Sequence, residues 1–248
     1  MFWIFFFSAF ASPTWAQVPI VIRVGDGHYT FEVNGPFTKL QRKILKSDLS
    51  KLQRLPILNT PLYEAHFGTN QTSFLDWFSQ RIHTFAYYKP TDYMSRGKVA
   101  GTVSSGYADQ DRDENGQHFD KGEFLLAKAY FLEKTASGRL SILIHEARHG
   151  DGTKHVACLR KLNHALKRYI NNIIACDVDE FGSYAADALI KVQAAHDFHE
   201  GDMRDALEEA ADSIHRIQSK MSRRVVALAV EELAPTLDYS NIDKRFDL

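Results

Sequence analysis

Hydrophobic and polar positions alternate with two different periods along this chain, and the switches between them outline its elements. Val18 to Val24 is apolar and mostly β-branched, and His28 to Val33 alternates side by side. Gly25-Asp26-Gly27 separates the two runs and Asn34-Gly35-Pro36 closes the second, which predicts a β-hairpin. From Leu40 to Leu55 the apolar positions Leu40, Ile44, Leu45, Leu49 and Leu52 recur at helical spacing under a basic outer face. Residues 56–72, rich in Pro, Asn, Thr and Gly, read as loop. Ser73 and Asp76 then form a capping-box pattern. Phe74, Phe78, Ile82, Phe85 and Ala86 line one face of a predicted helix that should stop before Pro90. Residues 91–108 carry no assignable pattern.

The second half is mostly helical in period. Phe124 to Leu132 reads as a strand, with a helix left open by its Ala and Leu content. Ser137-Gly138 turns the chain, and Arg139 to His149 is predicted helical, with Leu140, Leu143, Ile144 and Ala147 inward and Gly150 as its C-terminal cap. Leu159, Leu162, Leu166, Tyr169 and Ile170 space as one helix, and Tyr184 to His196 as another behind the acids of 177–180. A long pattern from Asp202 to Leu233 ends at Pro235. No internal repeat or linker divides the chain. The expectation is an α+β fold over 17–248, one domain, with a small N-terminal β/α portion and a helical region from about residue 156.

Composition changes this picture little. The 248 residues are 44% hydrophobic and 25% charged, enough to bury a sizeable core. Thirty Lys and Arg face 31 Asp and Glu, so no basic surplus points to nucleic acid and no polybasic run to anionic lipid. The uncharged run Met1 to Ala11 is too short to span a bilayer, but it suits the apolar stretch of a secretory signal, with Thr14-Trp15-Ala16 as cleavage site. Residues 1–16 are therefore expected to be removed, leaving an exported protein, periplasmic or extracellular, with no stable membrane anchor. In such a compartment Cys158 and Cys176 are expected to pair. One straight helix between them would hold their Cα atoms roughly 27 Å apart at 1.5 Å per residue, so the bond requires a break, for which Asn171-Asn172 is the candidate.

The chemistry concentrates at His145-Glu146-Ala147-Arg148-His149. Histidines four apart on a helix share one face, the geometry of two ligands on a tetrahedral zinc, and the intervening Glu146 can act as general base. Gly152 and His155 extend the pattern to H-E-x-x-H-x-x-G-x-x-H, in which the glycine lets the chain turn so that a third histidine reaches the same metal. These eleven residues resemble the metzincin clan of zinc endopeptidases. The resemblance implies zinc on His145, His149 and His155, with Glu146 as base, in a zincin-like fold with the metal at the floor of a cleft. The clan's methionine turn has no counterpart, since Met203 and Met221 both fall in helical patterns.

Several alternatives stay open. Glu180 could supply the third ligand, as a downstream glutamate does in thermolysin-like enzymes, with Asp177 the weaker choice. Asp151 could accept from a ligand imidazole, and Tyr184 could donate to the transition state. Asp111, Asp113, Asn115 and Gln117, with Glu123 one place late for the bidentate acid, resemble part of a calcium loop, against a plain solvated turn. The expected function is an exported zinc metallopeptidase acting on peptide or protein. The alternative is a secreted module that metal and disulfide stabilise without turnover.

Overall fold

The computed structural model describes residues 20–88, 101–103, 122–133, 135–156, 158, 176–199 and 203–234. The fold is mixed α+β. Strands β1 (Ile20–Val24) and β2 (Tyr29–Asn34) form the expected antiparallel hairpin, in register from Ile20 opposite Val33 to Val24 opposite Tyr29. Helix α1 (Lys39–Arg54) starts at a Thr38 cap closed reciprocally by Gln41. Its inward face is Leu45, Asp48, Leu49 and Leu52, while Leu40 is 66% exposed. The buried row thus contains a carboxylate that hydrophobic spacing alone passes over.

The stretch expected to be loop contains a short helix, α2 (Pro61–Phe67). Thr60 caps it and Pro61 sits at its first position, where the missing N–H costs nothing. Ser73 and Asp76 form the predicted capping box of α3 (Phe74–Ser79). That helix ends six residues in rather than running on, and Thr84–Tyr88 is strand β3. Phe85 meets the core from a strand, because β-branched and aromatic residues fit a pleated, half-buried surface.

After β4 (Gly101–Val103), strand β5 (Glu123–Ala127) gives way to helix α4 (Lys128–Leu132), so only the first half of the predicted strand is one. The five strands lie in the order β1-β2-β3-β5-β4, with β2, β3 and β5 parallel and both edges antiparallel. Helix α5 (Ala136–His149) begins before the predicted turn: Thr135 caps it by accepting from the Gly138 N–H, which places Ser137 and Gly138 inside its first turn.

Helix α6 (Ser183–Phe198) is buried on most of its surface, since it packs against α5, α7 (Met203–His215) and α8 (Lys220–Leu233). The long pattern over 202–233 resolves into two helices. Arg216 and Gln218 divide them: the Asp177 N–H donates to Arg216 O, the Gln218 N–H to Asp177 O, and Ser219 caps α8. Tyr63 of α2 donates to Gln193 of α6 at 2.8 Å, and Gln193 in turn to Pro56 O at 2.8 Å. The expected signal over 1–16, the helix over 159–170 and the break at 171–172 lie outside the described residues. No helix among those described is long and apolar enough to cross a membrane.

Candidate metal centre

Helix α5 carries His145 and His149 one turn apart, and their rings meet at 5.2 Å between centroids. Three backbone bonds then close the helix end, from Gly150, Asp151 and Gly152 onto the carbonyls of Ala147, Arg148 and His149. Gly150 keeps helical angles, and the reversal falls at Gly152, whose φ of +84° suits a residue without Cβ. The turn brings His155 back, its ring 5.2 Å from His145 and 4.6 Å from His149. One ring nitrogen from each of the three lies within 4.8 Å of the others.

The hydrogen bonds decide which nitrogen each ring has left. His149 Nδ1–H donates to Thr153 O at 2.8 Å, and His155 Nδ1–H to Asp177 Oδ1 at 2.9 Å. Both rings therefore keep Nε2 as an acceptor. His145 Nε2 and His155 Nε2 stand 3.3 Å apart. Two nitrogens at about 2.0–2.1 Å from one tetrahedral ion are separated by a similar distance, so this pair fits a shared metal without rearrangement. Burial depresses the pKa of His145 well below the usual imidazole value, with His149 and His155 adding to the effect against Asp187, and burial also lowers that of His149. Both favour the neutral, ligating form.

The side chain that orients His155 is Asp177, not Asp151. Asp177 is buried. Its second oxygen accepts from the Tyr184 N–H at 2.6 Å at the start of α6, and its backbone pairs with Arg216 and Gln218. Gly182 has to be glycine, because a Cβ there would stand 2.1 Å from the Asp177 carboxyl carbon. Cys176, the preceding residue, pairs through both backbone groups with Val156 and is disulfide-bonded to Cys158, with Cα atoms 5.1 Å apart. The ligand candidate and its acceptor thus sit on two short segments joined covalently and by a β-bridge. We expect Asp177→Asn and Asp177→Ala to weaken metal binding by about 10–100-fold. Metal titration checks this, with the melting temperature of the metal-free variants as control, and an affinity within twofold of wild type would assign Asp177 to the fold alone.

Asp151 serves a different purpose. It bridges Arg148 and Arg81 at 2.7 Å each, and Arg81 lies 4.0 Å over the Trp77 ring. Arg148, buried between the two histidines in sequence, also donates to His66 O and Phe181 O. His66 donates to Glu180 O at 2.7 Å, and burial next to the Arg148 charge pushes its pKa down to about 3. The Glu180 carboxylate accepts from Ser222 of α8, and this rival ligand is not among the groups whose ligand atoms converge.

Glu146 is half-buried on the residue after His145, and no bond from another described residue engages its carboxyl group. Burial, reinforced by the charge of Asp187, pushes its pKa up to about 8. Asp187 is itself held as a carboxylate against burial by Lys191 and the Ser213 hydroxyl. Tyr184 packs its ring on the cluster, stacked on His155 at 4.6 Å and edge-on to His145 at 4.8 Å. Its hydroxyl accepts from Arg216, which leaves its own proton to donate; burial raises its pKa against the Arg216 charge.

Of the predicted residues, then, His145, His149, His155 and Tyr184 come together; Glu146 is the next residue after His145 on the helix, and the side chain of Glu180 does not join the cluster. Asp111, Asp113, Asn115 and Gln117 lie outside the described residues, and Glu123 opens β5 opposite Thr84. Asp177 and Arg216 carry no motif. Asp177, the weaker choice of third ligand, is not among the converging groups and instead accepts from His155; nothing in the sequence marks Arg216. The chain matches no protein-family model, no curated protein and no solved structure.

Proposed function

We propose that the chain is a zinc-dependent metallopeptidase of zincin-like architecture, exported, with His145, His149 and His155 as ligands and Glu146 as general base. The observation that carries this reading is the convergence of three imidazole nitrogens, with a carboxyl group that no other described residue bonds on the residue next to one of them. His145, His149 and His155 would hold the zinc, which would lower the pKa of a bound water toward 7 and polarise a substrate carbonyl. Glu146 takes the proton released as water attacks the carbonyl carbon, then delivers it to the leaving amine nitrogen. Tyr184, whose hydroxyl proton no described residue takes, donates to the oxygen that gains charge.

The engagement of Glu180 with Ser222 favours this reading over a metal used only for stability. A structural zinc is closed by four protein ligands, whereas a catalytic one has three. The disulfide between Cys158 and Cys176 fits an oxidising compartment. A peptide mixture of unbiased sequence tests the proposal. Protein loaded with one equivalent of zinc is expected to cleave it, to stop on addition of a chelator, and to recover when zinc is restored. His155→Ala should lose the metal and Glu180→Ala should keep it. Stoichiometric zinc without cleavage would leave a non-catalytic metal module, and the reverse ranking of the two variants would move the third ligand to Glu180.

A further inference from the structure

We infer that Arg216 forms a binding subsite for a carboxylate, so that the substrate is a peptide presenting its free C-terminus, or failing that an acidic side chain, just beyond the bond to be cut. The inference rests on the metallopeptidase reading for its chemistry, but not for the subsite itself. Arg216 follows the last residue of α7 and is fixed through its backbone: its N–H donates to Ser213 O, and its carbonyl accepts from Asp177. A cation at a helix C-terminus is ordinarily accounted for by the helix dipole. Here the side chain has a more specific position. Its guanidinium carbon lies 4.9 Å from the centre of the Tyr184 ring, and Nη1 donates to the Tyr184 hydroxyl.

That ring is the same one that stacks on His155 and abuts His145. A single tyrosine therefore separates the cation from the imidazoles, a gap that one or two residues of extended peptide would bridge at about 3.3–3.6 Å each. No carboxylate neutralises the guanidinium among the described residues. The nearest acid along the chain of bonds, Asp177, has both oxygens committed, one to His155 and one to the Tyr184 N–H. Arg216 is half-buried. A partly desolvated guanidinium anchored by one N–H, with the others taken by no described residue, is arranged to take an anion in a bidentate pair. Carboxylate is the anion that a peptide substrate brings.

The test uses three fluorescent peptides of one sequence: a free C-terminal acid, its amide, and an amide carrying aspartate in the last position. Binding is read by anisotropy on the Glu146→Gln protein, and turnover on the active protein. The free acid is expected to bind about 10–100-fold tighter than the amide, as for a charge-assisted hydrogen bond of about 1.5–3 kcal/mol. Arg216→Gln should erase that difference and leave amide binding unchanged, and Arg216→Lys should restore part of it. Tighter binding of the aspartyl amide than of the free acid would move the carboxylate to a side chain. Equal binding of all three peptides, or an equal loss of acid and amide in Arg216→Gln, would overturn the subsite and confine Arg216 to positioning Tyr184. A carboxylate preference that persists in protein unable to cleave any peptide with zinc would instead sink the metallopeptidase reading and leave the subsite standing.

Discussion

Glu146→Gln is expected to retain zinc and to lose peptide hydrolysis by a factor of about 10²–10⁴. Glutamine has the volume and polarity of glutamate, so it fills the same buried place, but it cannot take up the proton of an attacking water. The effect should be confined to turnover, because Glu146 is not among the three groups whose ligand atoms converge. Nor does another described residue depend on its carboxyl group for a bond, so nothing in the helix should shift when glutamine replaces it. Steady-state cleavage of the unbiased peptide mixture, paired with metal titration, separates the outcomes. Cleavage at the wild-type rate would place the base elsewhere, and loss of the metal would make Glu146 a ligand.

The histidine cluster was legible because its geometry is local. A helix places residues four apart on one face, and a glycine three residues past the second histidine has one evident use, here borne by the positive φ of Gly152. Asp177 was not legible in its role. It lies 22 residues from His155 and reaches it only because the disulfide and the bridge between Val156 and Cys176 fold the two segments together. Asp151, adjacent in sequence, looked the better acceptor, but two arginines claim it.

The fold divides in the same way. The β1–β2 hairpin, α1 and the start of α3 announce themselves through glycines, caps and period. The ends of elements are set by partners far along the chain. The row Phe74, Phe78, Ile82 and Phe85 fits a helical face, yet the last of these sits in a strand because β2 and β5 supply its hydrogen bonds. The pattern over 202–233 likewise stays apolar across a break, since Ile217 is fully buried there while its neighbours pair with Asp177 and Val178. Hydrophobic period reports burial, and burial does not require that the helix continue.

The largest expected loss of stability comes from Asp48→Ala, remote from the histidines. Asp48 sits fully buried in the inward face of α1, where Arg139 of α5 donates to both of its oxygens at 2.7 and 3.0 Å and Tyr130 to one at 2.8 Å. Burial opposes the Arg139 cation, yet its pKa stays raised, because the bond and the charge of Asp48 outweigh that penalty. Removing the carboxylate strands the guanidinium and the Tyr130 hydroxyl in the core, at a cost of about 3–5 kcal/mol. For a chain of this size that corresponds to a fall in melting temperature of roughly 6–20 °C. Asp48→Leu combined with Arg139→Met should cost far less than Asp48→Ala alone, since no charge is then left without a partner. Thermal unfolding of the metal-free proteins decides it: a shift under about 1 kcal/mol for Asp48→Ala would show that water reaches Arg139 and that the pair is not sealed. The consequence for the helix that carries His145 and His149 is direct. Arg139 anchors the first half of α5 through Asp48, and Arg148 anchors its end through His66, Asp151 and Phe181. His145 and Glu146 lie between these anchors, so Asp48→Ala should also weaken metal binding by loosening one end of the helix that presents them.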